Sequence, residues 1–329
     1  MVLLILLNVS SFQFANRLQT RIMSTAKRSM PSCGESSSDK KKIKLEGAQD
    51  APMLPFTPTG FNAARARLMT KPTETFSTSG KCVVYWMFRD QRVNDNNAIH
   101  YAQAVARDAG VPFKVVFNLL PKFLNATIRQ YGFMIKGLEE VERELRNHDI
   151  PMHLLMGDPV VNIPAFVREH EAMLLVTDFS PLRTGVSWIN SIAAALDNQV
   201  TNSSASSSAA SAKSKFSSSN SAGQIPLVQV DAHNVVPCWV ASPKLEYGAR
   251  TIRSKISALL PQFLTDIAPL QKNPSGSLDC DPIDWKAALA SLQIDRTVKE
   301  VNWLVPGARG AQQMLQSFIG KVVFFFSLS

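Results

Sequence analysis

The stretch Cys82-Val83-Val84-Tyr85-Trp86-Met87, which runs directly into Phe88-Arg89-Asp90-Gln91, decides the fold. Its first six residues are apolar without interruption, and a charged loop follows at once. A run of this kind is typical of a strand buried on both faces of a parallel sheet. Further short apolar runs of the same type occur at residues 113–118, 152–156, 173–177 and 227–231.

Segments with helical periodicity separate these runs. Between the second and third runs, apolar residues recur at steps of three or four, which places them on one helical face: Ile128, Tyr131, Ile135, Leu138, Val141 and Leu145. Three more helices are predicted over residues 97–110, 159–169 and 186–196, the first ending at Gly110. The alternation predicts the α/β class, with a doubly wound, parallel, five-stranded sheet.

The loops that follow the strands carry the candidate ligand site. In an open α/β sheet, ligands bind beyond the carboxyl ends of the strands. A glycine-rich phosphate loop of the GxGxxG or GxxxxGKT type is absent, which disfavours a dehydrogenase or a P-loop enzyme. Charged residues at a helix start often only cap the helix. With that alternative open, the predicted groove residues are Trp86, Arg89, Asp90, Met156, Gly157, Asp178 and Phe179.

Composition limits the kinds of partner and of metal site that the chain is expected to have. The chain has 329 residues and a formal net charge of +9, which favours an anionic partner such as nucleic acid. Its four cysteines form no CxxC pair, and its five histidines form no HExxH motif, so no metal site is predicted. This cysteine usage is typical of a reducing compartment.

The chain resembles class II cyclobutane pyrimidine dimer photolyases over about residues 53–318. Five blocks carry the resemblance in order: YWMFRDQRVNDNNAIHYAQ (85–103), ATIRQYGFMIKGLEEVERELR (126–146), LLMGDP (154–159), TDFSPLR (177–183) and VDAHNVVPCWVASPKLEYGARTIRSKI (230–256). The resemblance implies light-driven splitting of pyrimidine dimers in damaged double-stranded DNA. It also implies an FAD cofactor in a helical domain and, in the α/β domain, an antenna chromophore of the deazaflavin type. The basic charge of the chain agrees with a DNA partner.

The resemblance divides the chain into regions. Residues 53–232 are expected to form a Rossmann-like domain of the photolyase antenna type, with a disordered serine-rich insertion at 201–222, where eleven of twenty-two residues are serine. Residues 233–284 are expected to link the domains, and residues 285–329 to begin the all-α FAD-binding domain. The family's FAD-binding segments lie beyond this point, so the chain is expected to be truncated and inactive alone, with no catalytic residue of its own.

The two ends of the chain suggest its location and origin. Residues 1–52 are expected to be a disordered targeting extension. It holds an acid-free leader typical of a mitochondrial presequence and a basic cluster at residues 40–44 typical of nuclear import, although a start at Met23 or a solvated tail are alternatives. A monomer without membrane contact is expected. The terminal KVVFFFSLS at 321–329 is typical of a translated intron or a misread exon boundary, with a frayed hydrophobic anchor as the alternative.

Two other functions remain open for the chain. One is a nucleotide- or chromophore-binding module without catalytic activity, and the other is a remnant without activity. The segment from Lys244 to Lys255 is predicted to join the two domains, with Leu245, Ile252 and Ile256 buried, and DNA contact is its alternative role.

Overall fold

The structure is a computed structural model that describes residues 54–72, 76, 80–204, 224–273, 278 and 280–320, with side chains from 199 to 204 left out. Within these residues a mixed sheet is formed by β1 (Ala66–Leu68), β2 (Cys82–Met87), β3 (Phe113–Leu119), β4 (Met152–Met156), β5 (Ala172–Asp178) and β6 (Leu227–Val230). The leader, the basic cluster at 40–44, the terminal 321–329 and most of the predicted insertion lie outside the described residues.

The strand order is β1-β6-β5-β2-β3-β4. Strands β2 to β6 are parallel, as predicted, and they occupy the five predicted runs with shifts of at most one residue at their ends. The chain moves outward from β2 through β3 to β4, then returns to the other side of β2 to form β5 and β6. The order of strands therefore reverses between β2 and β5, which is the position where open α/β sheets bind ligands.

The prediction of five strands is wrong by one. Strand β1 pairs antiparallel with β6, with Arg67 opposite Gln229. It has only three residues, Ala66, Arg67 and Leu68, and its central side chain is polar. The continuous apolar pattern that reveals the other strands is missing here, because an edge strand needs to bury only part of its surface.

Helices cover both faces of the sheet. They are α1 (Asn97–Ala109), α2 (Ile128–Arg146), α3 (Pro159–Glu169) and α4 (Arg183–Ser204). Side chains from Val83, Tyr85 and Met87 pack on the face of α1 and α2, whereas Val84 and Trp86 pack on the face of α3 and α4. This alternation follows from the twofold period of a strand and makes β2 fully buried.

The predicted helix boundaries hold for three of the four helices. Gly110, in the left-handed conformation with φ of 66°, ends α1. Thr127 and Gln130 form a capping box at the start of α2, and the Asp158 carboxylate caps α3 by accepting a hydrogen bond from the N–H of Val160. Helix α4 is longer than predicted at both ends, and its last turn includes residues 201–204, the beginning of the predicted insertion.

A small helical unit follows β6. It contains α5 (Cys238–Ala241) and α6 (Ala249–Phe263), and its apolar cluster centres on Phe263. The prediction that Leu245 is buried is wrong, because its side chain is 74% exposed. Leu245 lies in the turn before α6 rather than on the buried face of that helix. Ile252 and Ile256 are half-buried rather than buried, and Ile256 packs against the cluster.

The buried Arg65 side chain holds this unit on the sheet. Its guanidinium donates hydrogen bonds to the carbonyl oxygens of Asn234 (3.0 Å), Val235 (2.5 Å) and Phe263 (2.9 Å). The last of these carbonyls lies at the carboxyl end of α6, where a cation also interacts favourably with the helix dipole. Burial lowers the pKa of Arg65, and the negative charge of Asp231 opposes that change.

Helices α7 (Trp285–Ala290) and α8 (Ala308–Phe318) contact α2. The Glu142 carboxylate accepts hydrogen bonds from the N–H of Ile283 (2.9 Å) and from Nε1 of Trp285 (2.6 Å). Trp285 is buried in the same apolar cluster as β2 and β3. That these helices begin an FAD-binding domain stays a prediction. Within the described residues, no helix combines the length and apolarity needed to cross a membrane.

Candidate functional site

The candidate site lies at the carboxyl ends of β2 and β5, where the strand order reverses. The loop after β2 begins with Phe88, Arg89 and Asp90, and β5 ends at Asp178. Because both strands are parallel neighbours, their carboxyl ends meet at one edge of the sheet. All seven predicted groove residues belong to this carboxyl edge, since Met156 and Gly157 end β4 in the same direction.

The Asp178 carboxylate fastens the two strands at this point. It is fully buried, and it accepts hydrogen bonds from the backbone N–H groups of Arg89 (2.9 Å), Asp90 (3.0 Å) and Phe88 (3.2 Å). The Tyr85 hydroxyl donates a fourth hydrogen bond at 2.9 Å. Successive backbone N–H groups in such a loop form a site for an anion. Here the protein's own carboxylate fills it.

Two neighbouring carboxyl groups set the electrostatics of this loop. Burial, reinforced by the negative charge of Asp90, raises the pKa of Asp178 to about 6, although the backbone N–H groups oppose that change. Burial would also raise the pKa of Asp90, but hydrogen bonding from His233 and the positive charge of Arg92 outweigh it, so this pKa is lowered. Of the two carboxyl groups, Asp90 therefore ionises more readily than Asp178.

Asp90 connects the loop after β2 to the loop after β6. Its Oδ1 accepts a hydrogen bond from Arg92 and lies 3.1 Å from Nδ1 of His233. The Arg92 guanidinium also donates to the carbonyl oxygen of Ala232 at 2.7 Å. These contacts hold the two loops together by buried, charge-assisted hydrogen bonds.

A row of aromatic rings crosses the carboxyl edge. The ring centroids of Trp86 and Phe88 are 5.2 Å apart, those of Phe88 and Trp188 are 5.6 Å apart, and those of Trp188 and Phe123 are 5.8 Å apart. Trp86 is buried, whereas the other three rings are half-buried. The row brings together residues from the loops after β2 and β3 and from the first turns of α4.

Exposed apolar residues also occur at the carboxyl edge of the sheet. They occur where strands end or helices begin at the carboxyl edge, at Leu124, Met156, Val161, Leu182 and Val186. Exposed apolar groups at such an edge are typical of an interaction surface. Together with the half-buried rings, they form a surface suited to a flat, apolar ring system.

The end of β4 has a specific backbone geometry. Gly157 has φ of 116°, which is strained for any side chain with a Cβ. Asn118 donates a hydrogen bond to the carbonyl oxygen of Gly157 at 2.7 Å, and Asn162 donates to that of Met156 at 3.0 Å. Met156 is thereby held with its side chain 40% exposed at the edge.

The seven predicted residues thus divide into two groups. Trp86, Asp90 and Asp178 are buried and support the edge from beneath, and the Phe179 ring is also largely buried. Arg89, Met156 and Gly157 retain exposed surface. Sequence reasoning missed three aromatic residues with exposed surface: Phe88, Phe123 and Trp188. The signal for Phe88 was its position directly after β2, whereas no local pattern connects it with a tryptophan one hundred residues later.

Two further observations concern sites elsewhere. Within the described residues, no group of three or more His, Cys, Asp or Glu side chains is arranged to hold a metal ion. A groove of about 480 Å³ runs beside β4 and contains His153 and Cys280, and it includes Met156 but none of the other predicted residues. The structure therefore places an open groove away from the point of strand reversal.

Known proteins resemble this chain in sequence over most of its length. The sequence profile of a family described as DNA photolyase matches residues 83–275, more than half of the chain. A deoxyribodipyrimidine photo-lyase from Potorous tridactylus is 45% identical over 267 residues, covering 81% of this chain and 45% of that protein. One from Arabidopsis thaliana is 40% identical over 237 residues, covering 71% of this chain and 43% of that protein. The chain thus spans less than half the length of these two curated relatives.

A solved structure is also similar. A cryptochrome from Synechocystis sp. PCC6803 is 13% identical, with a TM-score of 0.47, and the match covers 72% of this chain and 46% of that chain.

Proposed function

The chain belongs to the DNA photolyase family, and from this premise we propose that the whole protein is a class II photolyase that splits cyclobutane pyrimidine dimers in damaged double-stranded DNA with light. The observation that carries the proposal is the 45% identity to a deoxyribodipyrimidine photo-lyase over 267 residues. The block at residues 230–256 supports assignment to class II. FAD would supply the electron for the repair.

The point of strand reversal does not fit FAD. A dinucleotide places its diphosphate on backbone N–H groups at this position of an α/β sheet. In this chain, the Asp178 carboxylate already accepts hydrogen bonds from the N–H groups of residues 88–90. A phosphate would have to displace a buried carboxylate of the same charge. This competition also counts against the alternative of a phosphate-binding nucleotide module.

The same edge does fit an antenna chromophore of the deazaflavin type. Such a molecule supplies light absorption and passes excitation energy to the flavin. Its flat ring system suits the half-buried rings of Phe88, Phe123 and Trp188 and the exposed apolar groups of the carboxyl edge. Arg89 follows Phe88 in the chain, and its positive charge would pair with a negatively charged tail of the chromophore. This assignment gives the α/β region a role in light harvesting rather than in bond cleavage.

Titration with a deazaflavin tests the antenna proposal. Because Trp188 would contact the ring, binding is expected to quench tryptophan fluorescence in a saturable way. The Phe123→Ala variant should bind more weakly, whereas Phe318→Ala, which removes an exposed ring from α8, should bind like the parent. Unchanged fluorescence at saturating ligand would contradict the proposal.

The repair proposal is tested in cells that lack their own photolyase. The aligned segment of the Potorous tridactylus protein is replaced by the matching part of this chain, and survival after ultraviolet irradiation is compared in blue light and in darkness. Light-dependent survival supports the proposal. A chimera that accumulates with bound FAD but gives equal survival in light and darkness would contradict it. We further propose that the protein acts as a monomer and that it works in the nucleus, in the mitochondrion, or in both.

A further inference from the structure

Strand β4 has an open edge on the side away from β3. In a parallel ladder, alternate residues direct their backbone groups to opposite sides. The carbonyl oxygen of Pro151 accepts the N–H of Val115, and the N–H of Gly157 donates to the carbonyl of Leu119. Pro151 and Gly157 thus direct these backbone groups towards β3. Leu154 is three positions from each of them, so by the same alternation its N–H and C=O point away from the sheet.

A groove of about 480 Å³ lies beside this edge. One wall is β4 itself, with Leu154 and Met156, and the other is the segment from Cys280 to Ser291. The two walls approach each other at one end, where Sγ of Cys280 lies 3.5 Å from the carbonyl oxygen of Met152. Among the described residues, no backbone hydrogen bond joins the second wall to Leu154.

The second wall is firmly held. The Glu142 carboxylate accepts hydrogen bonds from the N–H of Ile283 and from Nε1 of Trp285, and Arg146 donates to the carbonyl oxygen of Cys280 at 3.1 Å. Glu142 is buried and also pairs with Arg146. The groove is therefore bounded by two fixed walls, so little ordering is needed when a ligand enters.

The charge of the groove is opposite to that of the chain. Its lining includes the exposed carboxylates of Asp281 and Asp284, and no lysine or arginine lines it. The chain as a whole carries a formal charge of +9. An acidic rim above apolar walls is complementary to a ligand with cationic and apolar groups.

We propose that this groove binds an extended segment of another polypeptide, with apolar side chains and at least one lysine or arginine, which adds to the sheet as a strand along β4. The carbonyl oxygens of Met152 and Met156 already accept hydrogen bonds from Cys280 and Asn162, whereas the outward N–H and C=O of Leu154 are matched by an extended backbone, and this is how peptides add to exposed sheet edges. The apolar walls select the side chains that point into the groove, and Asp281 and Asp284 select the cation. This site shares Met156 with the carboxyl edge but contains none of the aromatic rings that cross that edge.

Two fluorescent hexapeptides serve as probes with the full chain. One has the sequence Lys-Val-Thr-Val-Lys-Val, and the other has glutamate in place of both lysines. Fluorescence anisotropy measures binding, and hydrogen exchange measures protection of residues 152–156. The lysine probe is expected to bind saturably and to protect the Leu154 amide, and the glutamate probe is expected to bind at least several-fold more weakly.

Two sets of variants sharpen the test. The double variant Asp281→Asn, Asp284→Asn removes the negative charge, and asparagine can still cap α7. Binding of the lysine probe should become about three- to tenfold weaker. Asp266→Asn, an exposed change in the loop after α6, should leave binding unchanged. Leu154→Pro removes an outward N–H, a change that edge strands tolerate, together with a half-buried side chain that packs on the core, and it should abolish protection of the strand.

The outcomes separate the possible occupants. Equal binding of both probes, or binding without protection of residues 152–156, overturns the proposal. Concentration-dependent self-association that protects the same residues, with no probe bound, would assign the edge to a second copy of the chain and also overturns it. The Asp variants keep the test valid if Leu154→Pro does not fold.

Discussion

The Tyr85 hydroxyl donates a hydrogen bond of 2.9 Å to the carboxylate of Asp178, and the two residues lie on neighbouring strands at the point where the strand order reverses. Both groups are fully buried. Burial, followed by the charges of Asp178 and Asp90, raises the pKa of Tyr85, so the hydroxyl remains a donor at all moderate pH values. The pair fastens β2 to β5 where other α/β proteins leave room for a phosphate.

Replacement of Asp178 by asparagine should destabilise the fold. The amide keeps one acceptor oxygen but directs an NH₂ group at backbone N–H donors, leaving buried groups without partners. We expect the free energy of unfolding to fall by about 2 kcal/mol. Urea denaturation measures it, with the exposed Asp108→Asn as the control. Equal stability of the two variants would contradict the role assigned to the carboxylate.

Two helical glycines provide a matched test of the aromatic row. A Cβ at Gly185 would lie 2.8 Å from a ring carbon of Phe88 and 2.9 Å from Oγ of Ser180, whereas one at Gly137 would meet nothing closer than 3.6 Å. Alanine in place of a helical glycine adds about 1 kcal/mol of intrinsic helix stability at either site. Gly137→Ala should therefore stabilise the protein.

Gly185→Ala should lose this gain, because the ring of Phe88 has to move. The displacement should also shift the fluorescence of Trp188, which contacts that ring. If both alanine variants were equally stabilised and had unchanged fluorescence, the close packing of α4 on Phe88 would be wrong.

The sequence carried the information for most of the sheet. Strands β2, β3, β5 and β6 are almost wholly buried and β4 is partly buried, so all five appear as mainly apolar runs that can be located from the printed residues. Strand β1 could not be located in this way, because Arg67 interrupts it and its pairing with β6 depends on residues more than 150 positions away. The exposure of Leu245 was likewise not predictable, since helical periodicity does not determine where a helix begins.

The candidate site was only partly predictable. The rule for open α/β sheets located the carboxyl edge correctly, but it did not tell which side chains support the edge and which face outward. Charged residues near the start of a helix can have a purely structural role. This alternative describes Asp90 and Asp178, whose carboxyl groups are buried. The contact of Phe88 with Trp188 depends on the packing of α4 and has no local signature.

His100 should make the protein less stable in acid. Burial lowers its pKa to about 4 in the folded chain, against about 6.5 when unfolded. As the pH falls from 7 towards 4, the unfolded chain takes up a proton that the folded chain does not. Folding stability should therefore fall in this window, by up to about 3 kcal/mol from this group.

The His100→Gln variant removes this dependence. Denaturation at pH 7 and at pH 4.5 should give a smaller difference for the variant than for the parent. The exposed Asn190→Gln serves as a control that leaves the difference unchanged. A variant with the same acid sensitivity as the parent would show that other groups are responsible.

The Glu142→Gln variant should loosen α7. The glutamine cannot accept both hydrogen bonds, from Ile283 and from Trp285, without turning its NH₂ group towards a donor. Faster hydrogen exchange across residues 283–290 is expected, together with a red shift of Trp285 fluorescence. Glu139→Gln, an exposed change on the same helix, should alter neither quantity. Unchanged exchange in the Glu142 variant would mean that apolar packing alone holds the segment.

The central claim is that this chain supplies a working part of a DNA photolyase, and dimer loss from purified DNA tests it most directly. The Potorous tridactylus photo-lyase carrying the matching segment of this chain is purified with FAD, mixed with ultraviolet-irradiated duplex DNA, and held in blue light or in darkness. Pyrimidine dimers are expected to disappear only in the light. A folded chimera that retains FAD and leaves the dimer count in blue light equal to that in darkness would contradict it.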